Sequence, residues 1–326
     1  MRFGPPESFP RLLADIGGTH ARFAVQTAQG IGPVHVLQCA DYPTLGDAVR
    51  SVLAALGQPP VRHAAFAVAT AIDGDQVRLT NHPWEFSIDA LRRELRWDTL
   101  HVLNDFTALA LALPTLCTDQ LRQIGGQAAA AQAPVGLLGP GTGLGVSALI
   151  PAPAGAAVPL AGEGGHVSFS PADEQELALW TFAHARYGHV SAERLLSGAG
   201  LQLLHEWLGA PPSPALSPAD ITAQALHGTD ARCAQAVERF CLLLGTAAAN
   251  LALTLGARGG IYLGGGIVPR LGPLFARSGF RRRFEDKGRF SAYLARIPVF
   301  VIEQPHAAFG GVAVALQHAL DTSSRL

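Results

Sequence analysis

Asn104 and Asp105 stand where an apolar strand pattern, Thr99 to Leu103, stops and an apolar helical run begins. Two readings compete there. Asp and Asn are preferred helix caps, whereas a carboxylate aimed into a cleft can take a proton from a substrate hydroxyl. A second acid, Asp15, closes an apolar strand and is followed by Gly17-Gly18-Thr19. Burying such a carboxylate is costly unless it is paired or metal-bound. Glycines let backbone N–H groups approach an anion closely, although an ordinary hairpin turn explains the same residues.

The stretch Gly139-Pro140-Gly141-Thr142-Gly143-Leu144-Gly145 is neither a Walker A loop nor a G-x-G-x-x-G turn. Four glycines around a threonine suit either a backbone grip on an anion or a tight turn between strands. A third run, Gly264-Gly265-Gly266, ends a strand before a helix entered after Pro269, a common ligand position in α/β folds. Glu163-Gly164-Gly165-His166 and Glu193 add polar groups without an evident structural task. Clustered acceptors of that kind match a ring of hydroxyls. Taken alone, His166 reads better as a structural histidine, since its spacing from Glu163 fits no common zinc motif.

These residues need elements to hold them. Arg11 to Ile16 and Ala21 to Val25 flank the Gly17-Gly18 turn as a hairpin. Val34 to Cys39 adds a third strand, Leu45 to Leu56 has helical spacing, and His63 to Ala69 returns to strand. A short strand near Val77 to Leu79 precedes a helix capped by Ser87 and running through Leu95. A helix over Thr107 to Leu113 follows the Thr99 strand. Beyond Thr115, strands at Val135 to Leu138 and Leu144 to Ile150 lead into a connection rich in proline and alanine. Helices dominate from Glu174 to Leu255, interrupted by a proline-rich loop over Gly209 to Pro218. Strands at Gly260 to Leu263 and Ile297 to Ile302 and a closing helix from Ala307 to Leu320 complete the pattern. It predicts a mixed sheet with helices in each of two α/β units. No short-period repeat is visible, but each unit carries a strand followed by a glycine turn with a threonine.

Composition excludes several functions. With 326 residues, about two domains are expected, and 48% hydrophobic residues suffice for their cores. Charged residues make up only 15%, the net charge is −1, and the one basic cluster is Arg281-Arg282-Arg283. That speaks against a nucleic-acid partner. Lys287 is the only lysine, so a phosphate site must rely on backbone N–H groups, a metal or arginine. Cys39, Cys117, Cys233 and Cys241 form no CxxC pair and no metal spacing, which fits a reducing compartment. The N-terminus lacks a signal-peptide pattern. The apolar run from Ala234 to Leu255 carries Glu238, Arg239 and Asn250 and reads as a buried helix rather than a membrane span. A cytoplasmic protein without a membrane partner is expected.

In register, eight blocks resemble the bacterial glucokinase family: LLADIGGTHARFAV (12–25), TNHPWEFSI (80–88), LNDFTALALALP (103–114), GPGTGLGVSALI (139–150), GEGGHVSFSP (162–171), HVSAERLLSG (189–198), LGGGIVPRL (263–271) and SGFRRRFEDKGRF (278–290). The resemblance implies the two-domain actin-like ATPase (ribonuclease H-like) α/β fold with a central ligand cleft. A smaller domain would comprise 1–115 plus 306–326. A larger one, 116–305, would carry a helical dimerisation surface for a homodimer. The implied reaction is phosphorylation of D-glucose at O6 by ATP with Mg²⁺, with Asp105 as general base. Asn104, Glu163, His166 and Glu193 match the family's glucose ligands, and Asn81 lies in a block lining the sugar. Asp15, Gly17, Gly18 and Thr19 match a first phosphate loop whose carboxylate positions Mg²⁺, directly or through water. Gly141, Thr142 and Gly143 match the second loop, and Gly264, Gly265 and Gly266 would face the adenosine.

Departures from the family pattern are His20 in place of asparagine, Ala71 in place of proline, and the stretch Gln304 to Gly311. The zinc-binding cysteine cluster and the N-terminal DNA-binding segment of the related ROK (repressor and kinase) group are missing from the pattern. A kinase for another hexose (mannose, fructose or an amino sugar) or a non-catalytic sugar sensor are the competing functions.

Overall fold

The computed structural model describes residues 8–152, 157–209 and 216–323. They form two compact units, one from the described residues up to 116 together with those from 304 onward, and one from the described residues between 117 and 303.

The first unit starts with the hairpin of β1 (Arg11–Ile16) and β2 (His20–Thr27) around Gly17-Gly18-Thr19. Two short strands, β3 (Gly30–Ile31) and β4 (His35–Gln38), both pair with β2. Helix α1 (Leu45–Ala55) begins at Thr44, whose hydroxyl accepts from the Asp47 N–H. Next come β5 (His63–Val68) and a small ladder of β6 (Gln76–Arg78) with β7 (Glu85–Ser87). Helix α2 (Ile88–Glu94) has the expected Ser87 cap, which accepts from the Ala90 N–H. The unit's sheet closes with β8 (Thr99–Asn104), followed by α3 (Asp105–Ala112). The strand order is β3-β2-β1-β5-β8, with β1, β5 and β8 parallel. The C-terminal helix, Ala308–Ser323, packs on α3 and on β1 and β5 of this sheet. On the other face Phe23, Phe66 and Trp97 meet edge-on inside the core.

In the second unit the sheet order is β12-β11-β10-β13-β14-β9. Its strands are β9 (Leu121–Gln123), β10 (Val135–Pro140), β11 (Leu144–Ile150), β12 (Val158–Gly162), β13 (Ile261–Leu263) and β14 (Val299–Ile302). Again a glycine hairpin, here β10–β11, opens onto parallel neighbours, β13 and β14. The two units thus build their sheets on one pattern, each with its glycine turn at the same place. The connection expected after Ile150 is in part the strand β12. Pro159 disguises it, yet proline is tolerated on an edge strand, and β12 is an edge.

The helices are α4 (Glu174–Tyr187), α5 (Ala192–Leu195), α6 (Gly198–Trp207), α7 (Pro218–His227), α8 (Ala231–Leu255), α9 (Val268–Leu271), α10 (Pro273–Arg277), α11 (Phe280–Glu285) and α12 (Ser291–Arg296). Part of the expected proline-rich loop, 210–215, lies outside the described residues. Asp230 caps α8 through the N–H groups of Arg232 and Cys233, and Gly256 ends it in the left-handed conformation. Although α8 is long and apolar enough to cross a bilayer, it is mostly buried and packs against α6, α7, α11 and β10. Arg283 of α11 ties down α4 by pairing with Asp173 at 2.9 Å and with the fully buried Glu176 at 2.7 Å.

Candidate active site

Parallel pairing of β1, β5 and β8 brings their carboxyl ends to one edge, with Ile16, Val68 and Asn104 in register. That edge is where open α/β sheets bind ligands. Asp15 and the Gly17–Thr19 turn leave it from β1, Thr70 from β5, and Asn104 with Asp105 from β8. The helix cap is Asn104, whose Oδ1 accepts from the N–H groups of Phe106 and Thr107 at 2.9 and 3.1 Å. Its amide Nδ2 donates to the Thr70 carbonyl at 3.2 Å. Asp105 is therefore the first residue of α3 rather than its cap, and its Oδ1 accepts from the Phe106 N–H at 2.9 Å. A carboxylate in a first helical turn is favoured by the helix dipole.

Asn81 reaches the same edge. Thr80 donates to the Thr70 hydroxyl at 3.2 Å, and the Asn81 backbone closes directly over Gly18. A Cβ on Gly18 would lie 2.8 Å from the Asn81 carbonyl oxygen, so this contact requires glycine. The first glycine turn and the Asn81 block, distant in the chain, are thereby one structure.

Asp15 sits opposite Arg22 across the hairpin, and their side chains pair at 3.4 Å. Burial pushes the Asp15 carboxyl above its ordinary value, against the opposing charges of Arg22 and His306. Arg22 was not singled out from the sequence. The register could have revealed it, because a turn at Gly18-Thr19 that sets Gly17 opposite His20 places Asp15 and Arg22 face to face. His20, next to the turn, bonds Gln38 of β4 at 3.2 Å. His306 holds φ of +56°, in the left-handed region.

The second unit gathers the remaining residues. The carboxylate Oε2 of Glu193 accepts from the Leu144 N–H at 2.9 Å, fixing Glu193 against the end of the Gly141–Gly143 turn. Gly198 donates to the Gly141 carbonyl at 2.8 Å, anchoring the other side of that turn. The Gly264–Gly266 turn closes on the end of β10, Gly264 donating to Leu138 at 2.8 Å and Ile267 to Pro140 at 3.3 Å. Second and third glycine turns thus lie side by side.

Glu163 and His166 enter from β12 through a short 3-10 turn, Gly164–His166. Gly165 presses onto the Leu144 carbonyl, where any Cβ would collide. The following backbone runs beside the segment holding Glu193, with Ala192 donating to Val167 and Phe169 to Val190, both at 2.9 Å. Glu163, His166 and Glu193 are in this way grouped around Leu144. His166 is well exposed, its Nε2 3.9 Å from Glu163 Oε2, and so is not a core histidine. Among the described residues, the N–H groups of Gly18, Thr19, Thr142 and Gly143 find no acceptor within the protein. Such turns are ready to accept anionic oxygens.

A family model described as Glucokinase matches residues 12–319. The chain is 58% identical to a glucokinase of Chromobacterium violaceum over 320 residues, covering 97% of this chain and 92% of that one. A glucokinase of Ralstonia nicotianae is 54% identical over 332 residues, covering 96% of each. Among solved structures, a glucokinase from an Antarctic psychrotroph superposes with a TM-score of 0.82 at 35% identity, covering 95% of this chain and 99% of that one.

Proposed function

The chain belongs to the glucokinase family and has its actin-like ATPase fold; from that premise we propose how its own residues carry out ATP-dependent phosphorylation of glucose. Asp105 accepts the proton of the C6 hydroxyl as that oxygen attacks the γ-phosphorus of ATP. The new bond is O6–P, the bond to the ADP oxygen breaks, and the proton ends on the Asp105 carboxylate. The transition state is loose, so positioning contributes much of the rate. Asn81, Asn104, Glu163, His166 and Glu193 hold the sugar hydroxyls. Asn104 keeps one amide hydrogen for this after capping α3 and bonding Thr70.

Phosphate oxygens are held by the N–H groups of the turns at Gly17–Thr19 and Gly141–Gly143, and Gly264–Gly266 faces the adenosine. The observation that carries the reading is the shared edge of β1, β5 and β8. It carries the glycine turn at the end of β1 and Asp105 at the end of β8, with β5 between them.

Asp15 fits a role toward Mg²⁺. Burial disfavours the charge of its half-buried carboxylate, against Arg22 at the long distance of 3.4 Å and His306. Mg²⁺ typically takes one or two carboxylates besides phosphates and water; bound there, it would neutralise charge on the phosphates.

The raised Asp15 value gives a test without turnover. Where the folded carboxyl has the higher pKa, stability is greatest with the group protonated and falls as pH rises through the folded value. Asp15→Asn is therefore expected to raise the melting temperature of the ligand-free protein above that pH, and not below it. Calorimetric scans at several pH values check this, and an equal shift at every pH refutes it.

The substrate assignment is tested with a panel of sugars in a coupled ADP-release assay. Glucose is expected to give the highest kcat/KM, and a higher value for mannose, fructose or an amino sugar overturns it. We also place the enzyme in the cytoplasm as a homodimer formed through the larger unit. Sedimentation as a 34.1 kDa monomer would refute the homodimer.

A further inference from the structure

Three side chains outside the catalytic residues converge at the junction of α6, α7 and α8. His205 comes from α6, Asp230 is the cap of α8, and Cys233 lies in its first turn. One ligand atom from each lies within 4.8 Å of the others. His205 is 7% exposed and Cys233 fully buried, while Asp230 is partly open to solvent.

The sulfur-to-nitrogen distance matches a metal centre. A tetrahedral Zn²⁺, with Zn–S about 2.3 Å and Zn–N about 2.05 Å, separates sulfur from nitrogen by about 3.6 Å. The Cys233 Sγ to His205 Nε2 distance is 3.6 Å. Asp230 uses Oδ1 for the N–H groups of Arg232 and Cys233, at 2.7 and 3.0 Å, so Oδ2 remains for a cation. Without a metal the Cys233 thiol donates weakly to Gln224 Oε1 of α7 at 3.8 Å.

We propose that His205 Nε2, Asp230 Oδ2 and Cys233 Sγ form a binding site for Zn²⁺ or a cation of similar softness, with solvent at the fourth vertex. Sulfur and imidazole nitrogen favour such an ion over Mg²⁺ or Ca²⁺, which take oxygen ligands. On binding, the Cys233 S–H bond breaks, the sulfur pair forms the metal bond, and the proton leaves to solvent. Asp230, held low by the Cys233 and Arg232 N–H groups, supplies the anion that draws the cation in. A bound ion would link α6 to the start of α8, fixing the helical half of the larger unit without entering the phosphoryl-transfer chemistry.

The test uses the full chain stripped with EDTA and titrated with Co²⁺. One equivalent is expected to bind, with a thiolate-to-cobalt charge-transfer band and the intense visible bands of a tetrahedral complex, both erased by Zn²⁺. Cys233→Ser should abolish the charge-transfer band. His205→Gln and Asp230→Asn should each weaken Co²⁺ binding at least about tenfold. Zn²⁺ should raise the melting temperature of the wild type and not of these variants, and glucose phosphorylation should persist in all of them. Asp230→Asn keeps a good helix cap, so it carries the test should Cys233→Ser fail to fold. Absence of a cobalt–thiolate band in the wild type overturns the proposal. So does a band that survives in Cys233→Ser, which would assign it to the exposed Cys117.

Discussion

Replacing Asp105 by asparagine is expected to lower kcat by about 10³- to 10⁴-fold while glucose binds with nearly wild-type affinity. The amide has the shape of the carboxylate and can still accept the Phe106 N–H, which lies 2.9 Å from Oδ1. It cannot take the proton of the attacking hydroxyl. The helix cap is Asn104, so the substitution leaves the entry to α3 intact. Loss of one carboxylate in the first helical turn costs only about 0.3–1 kcal/mol, and the fold should survive. Steady-state rates with calorimetric glucose titration separate the two effects. Turnover within tenfold of wild type, with glucose bound normally, would remove Asp105 as the base.

At Glu193 two substitutions should part company. Glu193→Gln keeps a carbonyl oxygen able to accept the Leu144 N–H, so the Gly141–Gly143 turn stays anchored and the main loss is sugar affinity. A hydrogen bond to a charged group is worth about 1.5–3 kcal/mol, or roughly 10- to 150-fold in glucose binding. Glu193→Ala also removes the anchor, and the KM for ATP should rise together with that for glucose. Calorimetry with glucose and initial rates at varied ATP distinguish the cases. Unchanged glucose affinity in Glu193→Gln would take the residue out of the sugar site. An unchanged KM for ATP in Glu193→Ala would show that the tie to Leu144 does not matter for the nucleotide.

Much of the scaffold was legible because its signals are short-range. The β1–β2 hairpin, the Ser87 cap and the strands at Thr99 and Val135 depend on residues within a few positions of one another. Element ends are less so: the sequence pattern ends the Thr99 strand at Leu103 and begins the next helix at Thr107, whereas α3 begins at Asp105. Strand β12 was hidden by Pro159 and by its short length. It matters because it delivers Glu163 to Leu144.

The sequence by itself determined which residue types are available for chemistry: acids at strand ends, glycine turns with threonine, and a single lysine that leaves phosphate to the backbone. It left open whether Asn104 or Asp105 caps the helix. Only the tertiary structure gave Asn104 the cap, because β5 places the Thr70 carbonyl where the Asn104 amide is held. Only the tertiary structure tied Glu193 to a backbone N–H 49 residues away, closed Asn81 over Gly18 and brought His205 to Cys233. The physical reason is the same in each case. Turns and caps are fixed by local geometry, whereas these contacts form between elements whose approach is set by the packing of whole sheets and helices.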